Sequence, residues 1–426
     1  MCAFHLGWFL GPGITVQGWN TPNFAKSYDW TKPDIFRDGA RRLEQAFFDF
    51  LILEDTSAIP YTYGGNMDFY LRHAAMTPKF DPVIVTPYIL EATKKLGVAT
   101  TMTSTFYPPW ILARSMATLD HYSNGRMAWN IVTATSDAAA QNFGYDKQFE
   151  HDKRYDMADE FVDLVKQLWE AWEPDAVVNN DETFIDPSKV RTVNFEGEYY
   201  KSRGPLNVPR SPQGCPLLIA PGGSPRGRKF SGRNAEVVLG SAENIEEMKQ
   251  YCIDVRSYAV SFGRDPTKVK LMFAVAPVIT KSRQEADEYK QNYPKMLEKR
   301  MQHALASMSF LSGIDFSKFD LDAPVGEIKT NGMQTILGKF KDPAVTLRQI
   351  VTSPPRWPIV GTPEDVAAEL IEAMAEVGGD GYLITGHLKP SYLSQIVDEL
   401  VPALQKRGAT RTEYGHDMLR DNVMAF

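Results

Sequence analysis

The chain has 426 residues, of which 43% are hydrophobic and 23% are charged, and its formal net charge is −7. This ordinary globular composition excludes a disordered chain, and the acidic excess offers no basic patch for nucleic acid or an anionic membrane. The three cysteines, Cys2, Cys215 and Cys252, lie far apart, which argues against a disulfide framework and a zinc site. We therefore expect a cytoplasmic protein that binds no metal, nucleic acid or membrane.

Eight short apolar runs alternate with longer stretches along the chain. They are residues 4–10, 48–54, 98–103, 127–133, 217–220, 236–239, 270–275 and 381–385. Each run is followed by a loop and usually by an amphipathic pattern, which is typical of βα units on a parallel sheet. The first run is too short to span a membrane and lacks a basic segment before it, so we interpret it as a buried strand. Eight such units predict an α/β protein with a (β/α)8 TIM barrel.

Glycines follow the first run at Gly11, Gly13 and Gly18. The third glycine comes too late for the dinucleotide-binding pattern G-x-G-x-x-G, and Pro12 and the β-branched residues that follow do not open a helix. This mismatch disfavours a Rossmann fold. We interpret the segment as a loop at the rim of the barrel.

Three long segments interrupt the βα rhythm, near residues 60–82, 177–215 and 301–358. Segments of this length in a compact fold are usually lids or substrate-binding loops. We interpret them as insertions at the carboxyl-terminal face of one domain that spans residues 1–426. Function is expected beside them.

Polar side chains lie at the ends of the second, third and fourth runs. The carboxyl ends of barrel strands form the functional face, so Asp55 is a site candidate, although an aspartate there equally suits a helix N-cap. The amide of Asn130 suits the mixed donors and acceptors of a flavin's pyrimidine edge, or else it is a satisfied core amide. Hydroxyls at Thr101 and Thr103 fit the same site, although threonine is also an ordinary strand former.

Two further segments are suited to an anion. His151 and Tyr155 are four residues apart near the start of a long amphipathic helix, so they share one face beside its positive end. In the turn that follows the fifth run, Ser224 fits a helix N-cap after Gly223, and glycine allows a ligand to approach the backbone. Both segments predict a phosphate site. The alternatives are two exposed residues on a first turn and a plain βα turn.

The usual equipment of hydrolases and phosphotransferases is missing from the sequence. None of the seven histidines has metal-ligand spacing such as H-E-x-x-H, and neither a G-x-S-x-G nucleophile elbow nor a P-loop occurs. A barrel with an anion site and few acid–base groups favours chemistry carried out by a cofactor.

Several ordered motifs across nearly the whole chain resemble one family. They include Tyr107-Pro108-Pro109-Trp110, Trp129-Asn130-Ile131-Val132-Thr133, His151-Asp152-Lys153-Arg154-Tyr155 and Ser224-Pro225-Arg226-Gly227, with further matches at 117–126, 203–206, 209–214, 361–363 and 411–414. The chain is similar in these motifs to the bacterial-luciferase-like flavin monooxygenases, in the branch of nitrilotriacetate monooxygenase and dibenzothiophene sulfone monooxygenase.

The resemblance implies a barrel that uses reduced FMN (FMNH2), supplied by a separate NAD(P)H:flavin oxidoreductase, with O2 as co-substrate. It also implies a homodimer or homotetramer. Carried over position by position, the resemblance implies flavin-binding positions at Asp55, Thr101, Asn130, His151, Tyr155 and Ser224, of which the last three would hold the phosphate. The predicted flavin site also includes the neighbouring residues Thr103, Thr133 and Gly223. Some alkane-oxidising relatives have a histidine where this chain has Ala134, so the role of that histidine is not transferred.

The resemblance leaves the substrate and the proton-transfer group open. His5 and Tyr63 are the candidates for proton transfer, although a strand histidine is more often a satisfied core residue. The aromatic residues in the rim segments favour an apolar or aromatic substrate containing sulfur or halogen, of the kind met in xenobiotic degradation. The competing hypotheses are a non-catalytic flavin-binding protein and a deazaflavin-dependent oxidoreductase on the same barrel.

Overall fold

A closed barrel of eight parallel strands forms the centre of the molecule. The computed structural model describes residues 3–11, 13–19, 28–241, 244–340, 342–355 and 357–426. The barrel strands are β1 (His5–Leu10), β2 (Phe50–Leu53), β3 (Gly97–Thr103), β4 (Met127–Val132), β5 (Leu217–Pro221), β6 (Val237–Gly240), β7 (Lys270–Val275) and β8 (Gly381–Thr385). Each strand pairs with the next in chain order, and β8 pairs with β1. The predicted TIM barrel is confirmed, and the strand bounds differ from the expected runs by at most two residues.

Helices surround the barrel, and many begin with a side-chain cap. The α-helices are Asp34–Gln45, Asp68–Arg72, Pro82–Ala92, Pro109–Tyr122, Asp137–Asn142, His151–Trp169, Pro225–Asn234, Ile245–Ser261, Arg283–Lys299, Met301–Ser312, Leu347–Thr352, Pro363–Val377, Pro390–Ser394, Val401–Lys406 and Leu419–Val423, with a π-helical turn at Gln395–Leu400. Asp81, Ser224 and Thr362 each accept a backbone N–H at a helix start that is followed by proline. This combination satisfies free N–H groups and presets the first helical residue.

Short 3-10 turns and two small sheets lie outside the barrel. The 3-10 turns are Tyr63–Gly65, Pro187–Lys189, Pro266–Lys268, Phe316–Lys318 and Gln334–Phe340. Phe195–Glu196 pairs antiparallel with Lys201–Ser202, and Val278–Ile279 pairs parallel with Val360–Gly361. None of the helices in the described part of the chain is long and apolar enough to cross a membrane.

The inside of the barrel is filled by alternate residues of the strands. Ala99 of β3 and Ala128 of β4 belong to this interior cluster, whereas Trp129 packs among the helices outside. Since side chains alternate along a strand, Thr101 and Asn130 lie on the interior face, further toward the carboxyl ends of their strands. The fold therefore places the polar side chains of β3 and β4 above an apolar plug.

The carboxyl-terminal residues close the opposite end of the barrel, which we call the floor. Leu419 and Val423 of the last helix join the interior cluster, and the Leu419 N–H donates to the carbonyl of Gly125. Arg411 donates to Asp49 Oδ1 at 2.6 Å and to the carbonyl of Asn422 at 2.9 Å. The floor thus combines apolar packing with a buried ion pair.

Two of the three long insertions pack against each other. The Tyr70 hydroxyl of the first insertion donates to the carbonyl of Ala306 in the third at 2.9 Å, and the Gly64 N–H donates to Asp315 at 2.9 Å. The second insertion lies along the outer helices, where Trp172 donates to the Leu206 carbonyl at 2.9 Å. The first and third insertions therefore form one joint structure.

Candidate functional site

Asn130 carries a buried oxygen without a hydrogen-bond partner. Its Nδ2 donates to Thr101 Oγ1 at 2.7 Å, and the two residues are register partners on β4 and β3. Its Oδ1 is buried and accepts nothing. Leaving such an acceptor unsatisfied costs on the order of 1–3 kcal/mol, so the position is suited to a ligand that donates an N–H.

The threonines at the ends of the same strands make mostly local contacts. Thr103 Oγ1 accepts the Thr105 N–H at 3.2 Å, and Thr105 donates from its hydroxyl to the Thr133 carbonyl at 2.7 Å. The structure therefore places Thr103 and Thr133 at the barrel mouth, beside Asn130 and Thr101. The two turns that follow β3 and β4 are joined there by the bond from Thr105 to Thr133.

Two helix N-termini meet where the sequence predicts a phosphate site. Ser224 caps the helix Pro225–Asn234, accepts the Gly227 N–H at 3.1 Å, and lies 3.3 Å from His151 Nε2. A methyl group on Gly227 would lie 2.8 Å from the Tyr155 hydroxyl, so only glycine allows this approach. Hydroxyl, imidazole and phenol groups thus converge at two positive helix ends, which is a favourable arrangement for an anion.

Neighbouring charges tune this cluster. His151 Nδ1 lies 2.6 Å from Asp152 Oδ1, which orients the ring so that Nε2 faces Ser224. Burial raises the pKa of the Tyr155 phenol, and the charge of Arg154 and a hydrogen bond with Ser224 oppose that rise. Tyr155 therefore stays protonated near neutral pH and can donate a hydrogen bond.

The two arginines of the Ser224 turn lie beside the cluster, but both are paired with carboxylates. The Arg226 guanidinium lies over the Tyr155 ring, and Arg228 Nε donates to the carbonyl of Gly223 at 3.1 Å. Arg226 donates to Asp156 and Asp159, both at 2.8 Å, and Arg228 pairs with Asp254. Because carboxylates already pair with both guanidinium groups, neither arginine is free to form an ion pair with an anion at the cluster.

Asp55 lines a cavity of about 420 Å³ at the barrel mouth. The walls also include Thr56, Ser57, Ala58, Ile59, Met76, Thr77, Lys79, Phe80, Asp81, Tyr107, Asn142 and Phe143. Burial raises the pKa of Asp55 to about 6, although the charge of Lys79 opposes the rise. Lys79 is itself paired with Glu54 at 2.5 Å, so it compensates Asp55 only in part.

Asp55→Asn is expected to stabilise the protein above pH 6 by about 3 kcal/mol, because the folded and unfolded pKa values differ by about two units and each unit corresponds to about 1.4 kcal/mol. The folded carboxyl holds its proton up to about pH 6, whereas the unfolded one loses it near 3.8. Folding is therefore penalised progressively as the pH rises between these values, and the penalty persists above them. Urea titrations at about pH 3 and about pH 8 should show nearly equal stability at the lower pH, where both states hold the proton, and a gain for the variant at the higher pH. A gain of the same size at both pH values would contradict this ionisation.

The structure places His5 and Tyr63 away from Asn130 and Ser224. His5 is the first residue of β1 and lies at the floor, where its Nδ1 is 3.2 Å from Asp49 and its ring stacks on Phe426. Tyr63 lies in the first insertion and packs against Phe69. It lines a second cavity of about 580 Å³, between the first and third insertions.

Arg154, Asn331 and Thr335 are site neighbours that the sequence did not predict. Arg154 donates to the carbonyl of Asn331 at 2.7 Å, and a methyl group on Gly223 would lie 2.0 Å from Thr335 Cγ2. The third insertion therefore reaches the Ser224 turn. The available signal was the arginine between His151 and Tyr155, but spacing alone does not reveal its distant partner.

Comparison with known proteins identifies the family. Residues 7–381 match the family model described as luciferase-like monooxygenase. The chain belongs to this family. This luciferase-like monooxygenase is 37% identical to the dibenzothiophene-sulfone monooxygenase of Rhodococcus erythropolis (strain XP), over 98% of this chain and 96% of that protein. It is 31% identical to nitrilotriacetate monooxygenase component A of Aminobacter aminovorans, over 96% and 94% of the two chains.

A solved structure agrees with this assignment. Riboflavin lyase with modified FMN and its substrate riboflavin superposes with a TM-score of 0.90 and 32% identity, covering 100% of this chain and 96% of that one. The predicted family and its branch are confirmed. Luciferase-like monooxygenases are oxidoreductases that use reduced flavin and O2, so this luciferase-like chain is a flavin-dependent enzyme.

Proposed function

We propose that this chain is the oxygenase component of a two-component system that uses FMNH2 and O2 to oxygenate a small apolar or aromatic sulfur compound. The observation that carries the proposal is the meeting of Ser224, His151 and Tyr155 at two helix N-termini, at the same barrel mouth as the unpartnered oxygen of Asn130. One end suits a phosphate and the other a ring with N–H donors. FMN has both.

The phosphate of FMN would bind to the Ser224 cluster. Ser224 and Tyr155 would donate from their hydroxyls. His151 would donate from Nε2 in the form that carries a proton on both ring nitrogens, since Nδ1 faces the Asp152 carboxylate. The backbone at Gly223 and Gly227 leaves room for close approach. FMN phosphate is a dianion near neutral pH, so each of these hydrogen bonds is charge-assisted.

The flavin ring would lie toward Asn130 and Asp55. Asn130 Oδ1, which has no hydrogen-bond partner, would accept an N–H of the flavin ring. Asn130 Nδ2 would keep its hydrogen bond to Thr101 Oγ1. Thr103 and Thr133 would flank the ring at the ends of β3 and β4. Asp55, with its pKa raised to about 6 by burial, would be largely ionised near neutral pH and could accept a further hydrogen bond.

The residues of the chain would position the reactants and exclude water. Reduced FMN supplies two electrons which, with O2, place one oxygen atom in the substrate and release the other as water. The cover formed by the first and third insertions, joined by the bond from Tyr70 to Ala306, would keep the barrel mouth dry. Tyr63, which belongs to that cover, remains a candidate for proton transfer. His5 lies at the floor, so its proposed role is to stabilise the fold.

The cavity beside Asp55 favours a neutral, partly aromatic substrate. Its apolar walls come from Ile59, Met76, Phe80 and Phe143, and its single lysine is already paired with Glu54. A polycarboxylate would require several free cations at the same place. The similarity to an enzyme named for dibenzothiophene sulfone supports an aryl sulfone or a related sulfur compound.

The proposed partner is an NAD(P)H:flavin oxidoreductase that supplies FMNH2, and the proposed setting is the cytoplasm, where such a reductase is available. The similarity to a protein named component A supports a system with a second component. We further propose that the chain assembles as a homodimer or homotetramer.

The proposed function is tested with a supplied flavin reductase, NADH, FMN and labelled O2. Aryl sulfones, chlorinated aromatics, alkanes and aminopolycarboxylates are offered in turn, and products are analysed for one labelled oxygen atom. Label in an aryl sulfone or sulfide product is expected. Absence of labelled product from every class, with NADH consumed only by the reductase, would refute the oxygenase. Reduction of a deazaflavin with a secondary alcohol, without O2 uptake, would favour the deazaflavin alternative.

Ser224→Ala and His151→Ala are each expected to weaken FMN binding by about 1–2 kcal/mol, the scale of a charge-assisted hydrogen bond. Riboflavin, which has the same ring without the phosphate, should bind the variants and the parent equally. Fluorescence titration with both ligands measures the difference. The matched control is Ser231→Ala, because Ser231 lies buried in the same helix without a hydrogen-bond partner for its hydroxyl. Equal FMN affinity in all four proteins would contradict this placement of the phosphate.

A further inference from the structure

Arg154 is a buried arginine without a carboxylate partner. The residue is 1% exposed, and no carboxylate among the described residues forms an ion pair with it, although the charges of Glu150 and Asp137 act on it from a greater distance. Its Nε is buried and donates to nothing. Burying a charge without a paired carboxylate is costly, and burial lowers the pKa of Arg154 in spite of Glu150 and Asp137, so these two charges compensate it only in part.

The guanidinium joins two distant segments. Nη1 donates to the carbonyl of Ala134, in the turn that follows β4. Nη2 donates to the carbonyl of Asn331 at 2.7 Å, and the Asn331 side chain donates to the carbonyl of Phe149 at 3.0 Å. Two bonds therefore hold Asn331 against the start of the helix His151–Trp169.

Residues 330–335, which we call the strap, continue from Asn331 to the glycine turn. A methyl group on Gly223 would lie 2.0 Å from Thr335 Cγ2, so the strap lies directly on that turn. At its base, the Met333 N–H donates to the carbonyl of Leu311 at 2.8 Å. The strap is thus the part of the third insertion that lies on the glycine turn, and it joins that turn to the helix Met301–Ser312.

We propose that Arg154 is a positioning residue that couples phosphate binding at the Ser224 cluster to closure of the strap. The inference rests on the proposed function, in which FMN is the ligand. Arg154 lies on the same helical turn as His151, next to Tyr155. The negative charge of a phosphate bound there would offset the positive charge of the buried guanidinium, because charges interact strongly in the poorly screened interior of a protein. Phosphate binding would therefore stabilise the arrangement in which Arg154 donates to the Asn331 carbonyl.

Hydrogen–deuterium exchange of strap peptides, with FMN and with riboflavin, tests the coupling. In the parent protein, FMN is expected to slow exchange in the strap, and riboflavin to slow it less. Arg154→Gln should raise the Kd for FMN about tenfold, the loss expected for one charge-assisted bond, leave the Kd for riboflavin unchanged, and abolish the extra protection. Arg154→Lys keeps the positive charge but cannot bond to both carbonyls as the guanidinium does. It should therefore restore part of the preference for FMN over riboflavin without slowing exchange in the strap.

The matched control is Lys153→Gln, which removes the same charge from an exposed position on the same turn and should change neither ligand's affinity. Asn331→Ala provides a second route if the Arg154 variants do not fold, because Asn331 is exposed and the change removes only the bond to Phe149. Asn331→Ala should raise the Kd for FMN roughly threefold, the effect of losing one neutral hydrogen bond, and should speed hydrogen–deuterium exchange in the strap.

The two proposals fail in different ways. If Arg154→Gln keeps the parent's preference for FMN over riboflavin, or if Asn331→Ala leaves strap exchange unchanged with FMN, the coupling is overturned and the flavin site stands. If the parent protein binds neither FMN nor riboflavin, the proposed function itself is overturned.

Discussion

Leu419→Ala is expected to lower the free energy of unfolding by about 2–5 kcal/mol, the range for removing a large apolar side chain from a packed core. Leu419 is 1% exposed and completes the interior cluster from below. A methyl group on Gly97 would lie 2.5 Å from Leu419 Cδ1, so the strand end and the leucine fit without spare room. Urea denaturation followed by tryptophan fluorescence measures the loss.

The matched control is Leu71→Ala, since Leu71 is 52% exposed and its truncation should change stability by no more than about 0.5 kcal/mol. Similar small losses for both variants would show that the last helix contributes little to the barrel. A large loss for Leu419→Ala alone would show that the barrel depends on it.

The barrel could be predicted from local sequence because strand length, glycine and proline boundaries, and the apolar content of each run are local properties. The bounds of Lys270–Val275 and Gly381–Thr385 agree with the expected runs residue for residue. The floor could not be predicted in the same way. Leu419 belongs to an interior cluster whose other members come mostly from strands β2 to β8, which are far away in the sequence. No periodicity in a five-residue helix reveals that position.

The candidate site likewise has a part that the sequence predicted and a part that it did not. Helix capping and spacing predicted that the segments of His151 and Ser224 could each hold an anion, and the family resemblance implied that both belong to one phosphate site. The structure places Ser224 Oγ 3.3 Å from His151 Nε2. The partner of Arg154 lies far along the chain in the third insertion, and only the folded chain shows it. The position of His5 in the sequence already indicated that it lies far from the site. A residue at the start of a barrel strand lies at the end of the barrel opposite the functional face.

Arg411→Met is expected to lower the free energy of unfolding by about 3–5 kcal/mol, because it leaves a buried carboxylate without its main partner. Asp49 is buried at the floor and accepts from Arg411 at 2.6 Å and from the Leu6 N–H at 3.1 Å. Arg411 also donates to the carbonyl of Asn422 at 2.9 Å, so the variant loosens the last helix as well. The urea midpoint at neutral pH measures the effect.

Asp49→Asn in the Arg411→Met background separates the charge from the packing. If the uncompensated carboxylate causes the loss, the double variant should recover part of it, because the buried negative charge is gone. The control is Arg72→Met, because Arg72 and its partner Asp68 are both exposed and lie 3.7 Å apart, so its removal should leave the urea midpoint nearly unchanged. A double variant less stable than Arg411→Met would instead show that Asp49 stabilises the floor through the Leu6 N–H and His5, and that the arginine acts mainly by holding Asn422.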